Sequence, residues 1–209
     1  MEPDIQRINE YDDPRFSPAV LRQHGAFLVN GVPCEVEITG AREAMVRGEA
    51  REWYPQLIED FRFYAEHICR FYGETGRLLA EFPPVELFPV KLSDIQPSQF
   101  YVDQEKLAAV RGFISRPEDV VVPVLRQEER YISLDGHTRL AVAVDAGFET
   151  VSAFLTQSGD YILDFAEEAR KRGVHSPYDL KRVSHQEYQV VWNQFCDEFF
   201  AKRGPNGPE

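Results

Sequence analysis

Near the N-terminus, apolar and polar residues alternate in two short runs that flank Asn30-Gly31. Such alternation is typical of strands with one buried face, and Asn-Gly between two of them favours a type I′ hairpin. Before the first run, Ser17-Pro18 has the residue types of a helix N-cap and first helical position. A short helix is therefore predicted from there to about His24, ended by Gly25.

From about Glu52 to Ala80 the pattern changes to apolar residues at every third or fourth position, which predicts a helix with one broad apolar stripe. Gly73 and Gly76 are expected to bend or break this helix, and Pro83-Pro84 ends the region. His67 lies beside the stripe, and a helix-surface or half-buried position is favoured for it. The stripe consists of Leu57, Ile58, Phe61, Tyr64, Ala65, Ile68, Phe71 and Tyr72.

Residues 85–155 alternate between strand and helix patterns in the order β-α-β-β-α-β. Pro89 lies within the first strand and places it at a sheet edge or a bulge. The second strand is a continuous β-branched run, which is typical of a buried strand. The predicted elements are strands Val85–Leu92, Val120–Leu125, Tyr131–Leu134 and Thr150–Leu155, a helix from an N-cap at Asp103 to about Ile114, and a helix that begins near His137 and ends at Gly147.

The remaining residues have helical patterns. Tyr161–Arg172 has apolar residues on one face, Ser176-Pro177 repeats the N-cap and proline signal, and Ser184 with Glu187 forms a capping box that opens a helix to about Ala201. The pattern thus predicts an α+β protein. Its parts are a hairpin and helical elaboration (1–84), a small mixed-sheet core (85–158), C-terminal helices packed on that core (159–203) and a disordered tail (204–209).

Composition narrows the class of protein. Hydrophobic residues make up 43% and charged residues 28% of the 209 residues, as in soluble globular proteins, and no run is long enough to predict a membrane span. The first residues are acidic and do not resemble a signal peptide, and the three cysteines form no metal or disulfide pattern, so a cytoplasmic location is expected. A net charge of −12 disfavours nucleic acid as a partner.

Candidate chemistry is concentrated where the strand Tyr131–Leu134 turns into the next helix. Asp135-Gly136 makes the turn, and His137, Thr138 and Arg139 follow at once. Glycine at such a junction lets a ligand approach the backbone, and the N–H groups of the first helical turn favour an anion. Thr138 can add a hydroxyl and Arg139 charge-assisted hydrogen bonds. These residues predict a phosphate site, although Asp135 as a plain cap and Arg139 in a salt bridge remain an alternative.

At this point the sequence resembles a known superfamily. Lys91 to Leu155 resembles the ParB N-terminal/sulfiredoxin superfamily in the segment DIQPSQ, the strand VVVPVL, the motif LDGHTRLAV and the strand after Gly147. The phosphate-binding turn is GERR in ParB proteins, GCHR in sulfiredoxins and DGHHR in the free-serine kinases of archaea. DGHTR is most similar to the last. The resemblance covers about a third of the chain and implies a ParB/sulfiredoxin-like core.

The resemblance also implies roles for individual residues. Gly136, His137, Thr138 and Arg139 would bind nucleotide phosphates, and Asp135 would lie near the reacting hydroxyl and a Mg²⁺ ion that accompanies ATP or ADP. His137 stands where sulfiredoxin has its catalytic cysteine, so sulfiredoxin chemistry is excluded. His137 is also a candidate acid or base near neutral pH.

Ser98 and Gln99 would line the substrate pocket. The serine kinases carry a glutamate near this position, proposed as the base, and this chain has no acid there. Asp135, Glu105 or a residue of the N-terminal region could serve instead.

Three functions remain open at this stage. The first is a Mg²⁺-dependent phosphotransferase that acts on a small hydroxyl-bearing substrate with ATP or ADP, its acceptor pocket closed by helix 52–72 or by the C-terminal helices. The second is a non-catalytic nucleotide-binding regulatory or interaction module, in which the C-terminal helix forms a partner or homodimer surface. The third is a ParB-like DNA-binding protein or nuclease, which the net charge disfavours.

Overall fold

The computed structural model describes residues 2–8 and 10–203, and within them the chain forms two compact units that meet in sequence between Glu86 and Leu87. Both units combine helices with a sheet, so the protein is of the α+β class. The tail predicted for 204–209 lies outside the described residues. In the described part of the chain, no helix is long and apolar enough to cross a bilayer.

Within residues 2–8 and 10–86, six strands form one sheet in the order β1-β2-β3-β4-β5-β6. Neighbours are antiparallel except β4 and β5, which are parallel and connected through helix α2. The elements are β1 (Ile5–Arg7), α1 (Pro18–Arg22), β2 (Ala26–Val29), β3 (Val32–Gly40), β4 (Glu43–Gly48), a 3₁₀ turn (Arg51–Trp53), α2 (Tyr54–Tyr64), β5 (Arg70–Gly73) and β6 (Leu78–Glu81).

Two local predictions in this unit are confirmed. The hairpin β2–β3 turns at Asn30 and Gly31, whose φ angles are 50° and 81°, and a type I′ turn requires both to be positive. Helix α1 begins after Ser17, whose side chain accepts a hydrogen bond of 3.4 Å from the Val20 N–H. Both features depend on neighbouring residues alone, and the local pattern was sufficient to find them.

The prediction of one helix from Glu52 to Ala80 is wrong beyond α2. The helix ends at Tyr64, and residues 70–81 form a hairpin whose first strand pairs with β4. Phe71 is fully buried from this strand. Its apolar side chain matched the helical spacing, but the same residue also fits a strand with one face on the core, and sheet pairing decided between them. His67 lies in the turn after α2 and is buried rather than on a helix surface.

In the described part of the second unit, a mixed five-stranded sheet has the order β7-β12-β10-β11-β8. The elements are β7 (Phe88–Lys91), a 3₁₀ turn (Leu92–Asp94), β8 (Ile95–Pro97), β9 (Tyr101–Asp103), α3 (Gln104–Arg111), a 3₁₀ turn (Pro117–Asp119), β10 (Val121–Gln127), β11 (Arg130–Ser133), α4 (His137–Asp145), β12 (Thr150–Leu155), α5 (Tyr161–Lys171), a 3₁₀ turn (Pro177–Asp179), β13 (Lys181–Val183), α6 (His185–Tyr188), a π-helical turn (Gln189–Asn193) and α7 (Gln194–Arg203).

The four predicted strands and two predicted helices of residues 85–155 are confirmed with small shifts at their ends. Pro89 lies in the edge strand β7, and β10 is central and buried, as their residue types predict. The short strands β8 and β9 are absent from the prediction. β8 pairs parallel with β11, and β9 pairs parallel with β13.

The C-terminal segments belong to the same unit as this sheet. Ile162 and Ala166 of α5 pack on Ile132 of β11, and Phe165 contacts several aromatic rings beyond α6. Two predictions need correction. Ser176-Pro177 opens only a 3₁₀ turn, and the helix after Ser184 is interrupted by the π-helical turn. The Ser184–Glu187 capping box itself is confirmed.

Candidate functional site

The turn between β11 and α4 has the backbone geometry that its sequence predicts. Gly136 precedes the helix with φ of 78°, in the left-handed region, and His137 is the first helical residue. A Cβ atom at Gly136 would lie 2.8 Å from the Val122 side chain and 3.0 Å from the Arg139 guanidinium. Because both the backbone angle and the close packing exclude a side chain, the turn depends on glycine here.

Sheet pairing brings Ser98 to this turn. β8 runs parallel to β11 with Pro97 opposite Ser133, so the chain leaves both strands at the same edge of the sheet. The buried Ser98 hydroxyl donates to the Ser133 carbonyl at 2.7 Å, and the Ser98 N–H donates to His137 Nε2 at 3.2 Å. The segment after β8 and the first turn of α4 are thus directly hydrogen-bonded, which unites Ser98 with the DGHTR residues in one site.

His137 lies inside the protein rather than at its surface. Its side chain is buried, and burial lowers the pKa of the imidazole from about 6.5 to about 4, with the nearby Asp135 and the Ser133 carbonyl opposing the shift. The imidazole therefore stays neutral at pH 7 and accepts the Ser98 N–H. This environment differs from the one expected for an acid or base near neutral pH, and the geometry makes His137 a link between two segments.

The other side chains of the turn are more accessible. Asp135 exposes 64% of its side chain, and Thr138 is half-buried. Arg139 is 22% exposed, donates to the Val121 carbonyl at 2.6 Å and approaches Asp135 at 3.5 Å. A guanidinium carries five N–H donors, more than these two contacts use. Arg139 is therefore held in position beside Gly136, and the salt bridge to Asp135 is a long one at a partly exposed site.

Gln99 connects this site to the C-terminal helices. Its amide donates to the Tyr101 carbonyl and to the Tyr188 hydroxyl, the latter at 3.2 Å. Tyr188 on α6 is buried, and burial raises the pKa of its phenol, with smaller contributions from acidic groups that include Asp103 and Asp135. Helix α6 therefore packs close to the residues after β8, a position that nothing in the local sequence predicts.

A pair of functional groups near Gln99 is missing from the sequence prediction. Asp103 is completely buried and has two partners: one oxygen accepts the Glu105 N–H at the start of α3, and the other lies 2.7 Å from His185 Nδ1. The parallel pairing of β9 with β13, with Asp103 opposite Val183, places His185 there. Asp103 was recognisable as an N-cap, but no local signal connects residues 82 positions apart.

A cavity of about 470 Å³ lies elsewhere in the second unit, between α5 and α7. Arg172 at its wall rests over the ring of Phe100 at 4.4 Å and over Phe195 at 5.1 Å. Its lining consists of Asp164, Glu167, Glu168, Lys171, Arg172, Phe195, Glu198, Phe199 and Lys202. The cavity carries both signs of charge and does not include the predicted site residues.

No set of three or more His, Cys, Asp or Glu side chains in the described residues could by itself hold a metal ion. Asp135 contributes a single accessible carboxylate at the turn. Mg²⁺ is commonly held by one or two carboxylates together with substrate phosphates and water. The turn thus fits Mg²⁺ only as an ion shared with a bound phosphate group.

Comparison with known proteins leaves the family of the chain open. No family model matches it, and no curated protein matches it. Among solved structures it is similar to the crystal structure of protein Atu1540 from Agrobacterium tumefaciens, at 15% sequence identity and a TM-score of 0.34. The match covers 46% of this chain and 62% of that protein, which is less than two thirds of its length. At this level the similarity carries no functional conclusion.

Proposed function

We propose that this protein binds a nucleotide by its phosphates at the turn Asp135–Arg139 and transfers a phosphoryl group from it to a small hydroxyl-bearing substrate. The donor would be ATP or ADP with Mg²⁺, and residues 85–158 would be a ParB/sulfiredoxin-like core. One observation carries the proposal: the pairing of β8 with β11 brings Ser98, which is followed by Gln99, into hydrogen-bond contact with a glycine turn that opens a helix.

The phosphate side of the proposal rests on the start of α4. The first N–H groups of a helix have no intrahelical acceptor and point along its axis toward an anion. The Thr138 hydroxyl and the Arg139 guanidinium stand in the same turn, and Arg139 is already positioned by the Val121 carbonyl. A positioned guanidinium loses less conformational entropy when it binds a phosphate than a mobile one would.

The acceptor side rests on Asp135 and Gln99. In phosphoryl transfer, the protein mainly positions the reacting groups and neutralises the charge on the phosphoryl oxygens. Asp135 would hold Mg²⁺ jointly with the phosphates, and the ion when bound would reduce the negative charge on the phosphate oxygens. Gln99, on the segment hydrogen-bonded to the turn, would contact the acceptor.

Nucleotide binding is tested by isothermal titration with ATP, ADP, CTP and GTP, each with and without Mg²⁺. Asp135→Asn should change the nucleotide affinity in opposite directions without and with Mg²⁺. Without Mg²⁺ it removes a negative charge near the phosphates and tightens binding, whereas with Mg²⁺ it removes a ligand of the ion and weakens binding. Glu129→Gln is the matched control, because Glu129 is an exposed acid in the turn at the other end of β11.

A second variant tests the contact with phosphate oxygens. Thr138→Val keeps the shape of the side chain and removes the hydroxyl, so affinity should fall by roughly tenfold or more if the hydroxyl donates to a charged phosphate. Lack of binding by any of the four nucleotides would refute the proposal. Binding without phosphoryl transfer to L-serine, other small alcohols or water would instead identify the protein as a non-catalytic nucleotide-binding module.

A further inference from the structure

The pair Asp103–His185 has the arrangement of an oriented base. The buried Asp103 carboxylate accepts from His185 Nδ1 at 2.7 Å, which assigns the proton to Nδ1 and leaves a lone pair on Nε2. The Gln189 amide lies 2.9 Å from that Nε2 and can donate to it. His185 exposes 43% of its side chain, so the imidazole is partly open to solvent although the Gln189 amide contacts Nε2. A carboxylate that orients an accessible imidazole in this way is a recurring device for activating a nucleophile.

A continuous series of contacts joins this pair to the turn. His137 binds the backbone of Ser98, the next residue Gln99 donates to the Tyr188 hydroxyl, and Tyr188 stands three residues after His185 on α6. The charge of Asp135 makes a small contribution to the raised pKa of Tyr188, after the main effect of burial. Two residues of α6 therefore contact the segment that follows β8: Tyr188 contacts Gln99, which is next to the residue bound to the turn, and His185 contacts Asp103.

The backbone after His185 adds a second observation. Residues Gln189–Asn193 form a π-helical turn directly after α6, and π-helical turns occur frequently at functional sites. The π-helical turn thus begins at Gln189, the residue whose amide contacts the Nε2 lone pair of His185.

We propose that His185, oriented by Asp103, is the general base that activates the acceptor hydroxyl, an inference that rests on the proposed phosphotransferase function. In the step, His185 Nε2 takes the proton of the acceptor hydroxyl, and the hydroxyl oxygen forms a bond to the terminal phosphorus. The bond from that phosphorus to the bridging oxygen breaks, and the departing nucleotide keeps the electron pair. The base thus comes from the C-terminal segment in a chain that has no acid at Ser98-Gln99.

The test compares the full-length protein with His185→Gln, which cannot accept the proton in the same way and replaces a partly exposed side chain. The matched control is His175→Gln, a substitution of an exposed histidine in the same unit. Nucleotide affinity is measured by titration, and phosphoryl transfer from Mg²⁺-ATP or Mg²⁺-ADP to L-serine and to water is measured in single turnovers. His185→Gln should leave affinity within about twofold and slow transfer by roughly 10²- to 10⁴-fold.

A further readout separates catalysis from a structural role. Asp103→Asn tests the positioning residue: kcat should fall while KM is retained, because an amide favours the wrong tautomer of the imidazole. Thermal melting checks that Asp103→Asn still folds, and His185→Gln decides the proposal if it does not.

The outcomes distinguish this inference from the function on which it rests. If the wild-type protein binds and transfers, and His185→Gln transfers at a rate within about threefold of it, the assignment of the base is overturned while the phosphotransferase function stands. If the wild-type protein binds nucleotide but transfers to none of L-serine, other small alcohols and water, the base and the transferase function both fail while the phosphate site stands. If it binds no nucleotide, the proposed function itself fails.

Discussion

The buried histidine of the turn makes the stability of the second unit depend on pH. The pKa of His137 is lowered from about 6.5 to about 4, a difference of about 2.5, and each unit corresponds to about 1.36 kcal/mol. Between these values the unfolded chain binds a proton at His137 that the folded chain does not. The free energy of unfolding should therefore be highest above pH 6.5 and fall by about 3 kcal/mol as the pH drops to 4.

His137→Gln isolates this contribution, because glutamine can accept the Ser98 N–H without titrating. The unfolding free energy of the wild type minus that of His137→Gln should fall by about 3 kcal/mol from pH 7.5 to pH 4, because only the wild type loses this stability. Other groups that titrate in this range are shared by the two proteins and cancel in the difference.

The assay is urea unfolding followed by tryptophan fluorescence at several pH values. The chain has two tryptophans, and Trp192 lies in the second unit while Trp53 lies in the first. Trp53→Phe in every protein compared therefore makes the signal report the unit that contains His137. Parallel pH curves for wild type and His137→Gln would refute the argument, because they would mean that the folded protein binds the proton as readily as the unfolded chain does.

Other consequences of the structure can be tested in the same way. Gly136→Ala combines a left-handed backbone with a contact of 2.8 Å to Val122, so urea unfolding should show a loss of about 1–3 kcal/mol, and a loss below about 0.5 kcal/mol would contradict the described turn. Ser184→Ala removes the capping box with Glu187 and should cost about 1 kcal/mol, whereas Ser184→Asp should restore most of it. Burial raises the pKa of Cys196 to about 11, so its alkylation by iodoacetamide should accelerate about tenfold per pH unit between pH 7 and 10, and a rate that levels off above about pH 9 would contradict the raised pKa.

Much of the candidate site was predictable because its elements need only nearby residues. The Asp135-Gly136 turn and the helix start at His137 follow from residues within a few positions of one another. The same holds for the N-cap at Asp103. Accessibility was not predictable, because burial depends on what packs against a side chain. His137 is enclosed by a segment that reaches it through sheet pairing 39 residues away, and this converts an expected titrating group into a neutral hydrogen-bond acceptor.

The sequence by itself determined the hairpin at Asn30-Gly31, the edge position of β7, the buried strand β10 and the glycine turn before α4, since each depends on local backbone preference or on the apolar pattern of one segment. Only the tertiary structure decided that residues 70–81 form strands, that β8 joins the sheet next to β11, and that Asp103 meets His185. For residues 70–81 the local pattern was compatible with both helix and strand. For the other two features the local pattern contains no information about which distant residues come into contact. Pairing between distant strands selected the observed arrangement, because backbone groups taken out of water must find hydrogen-bond partners and apolar faces must be covered.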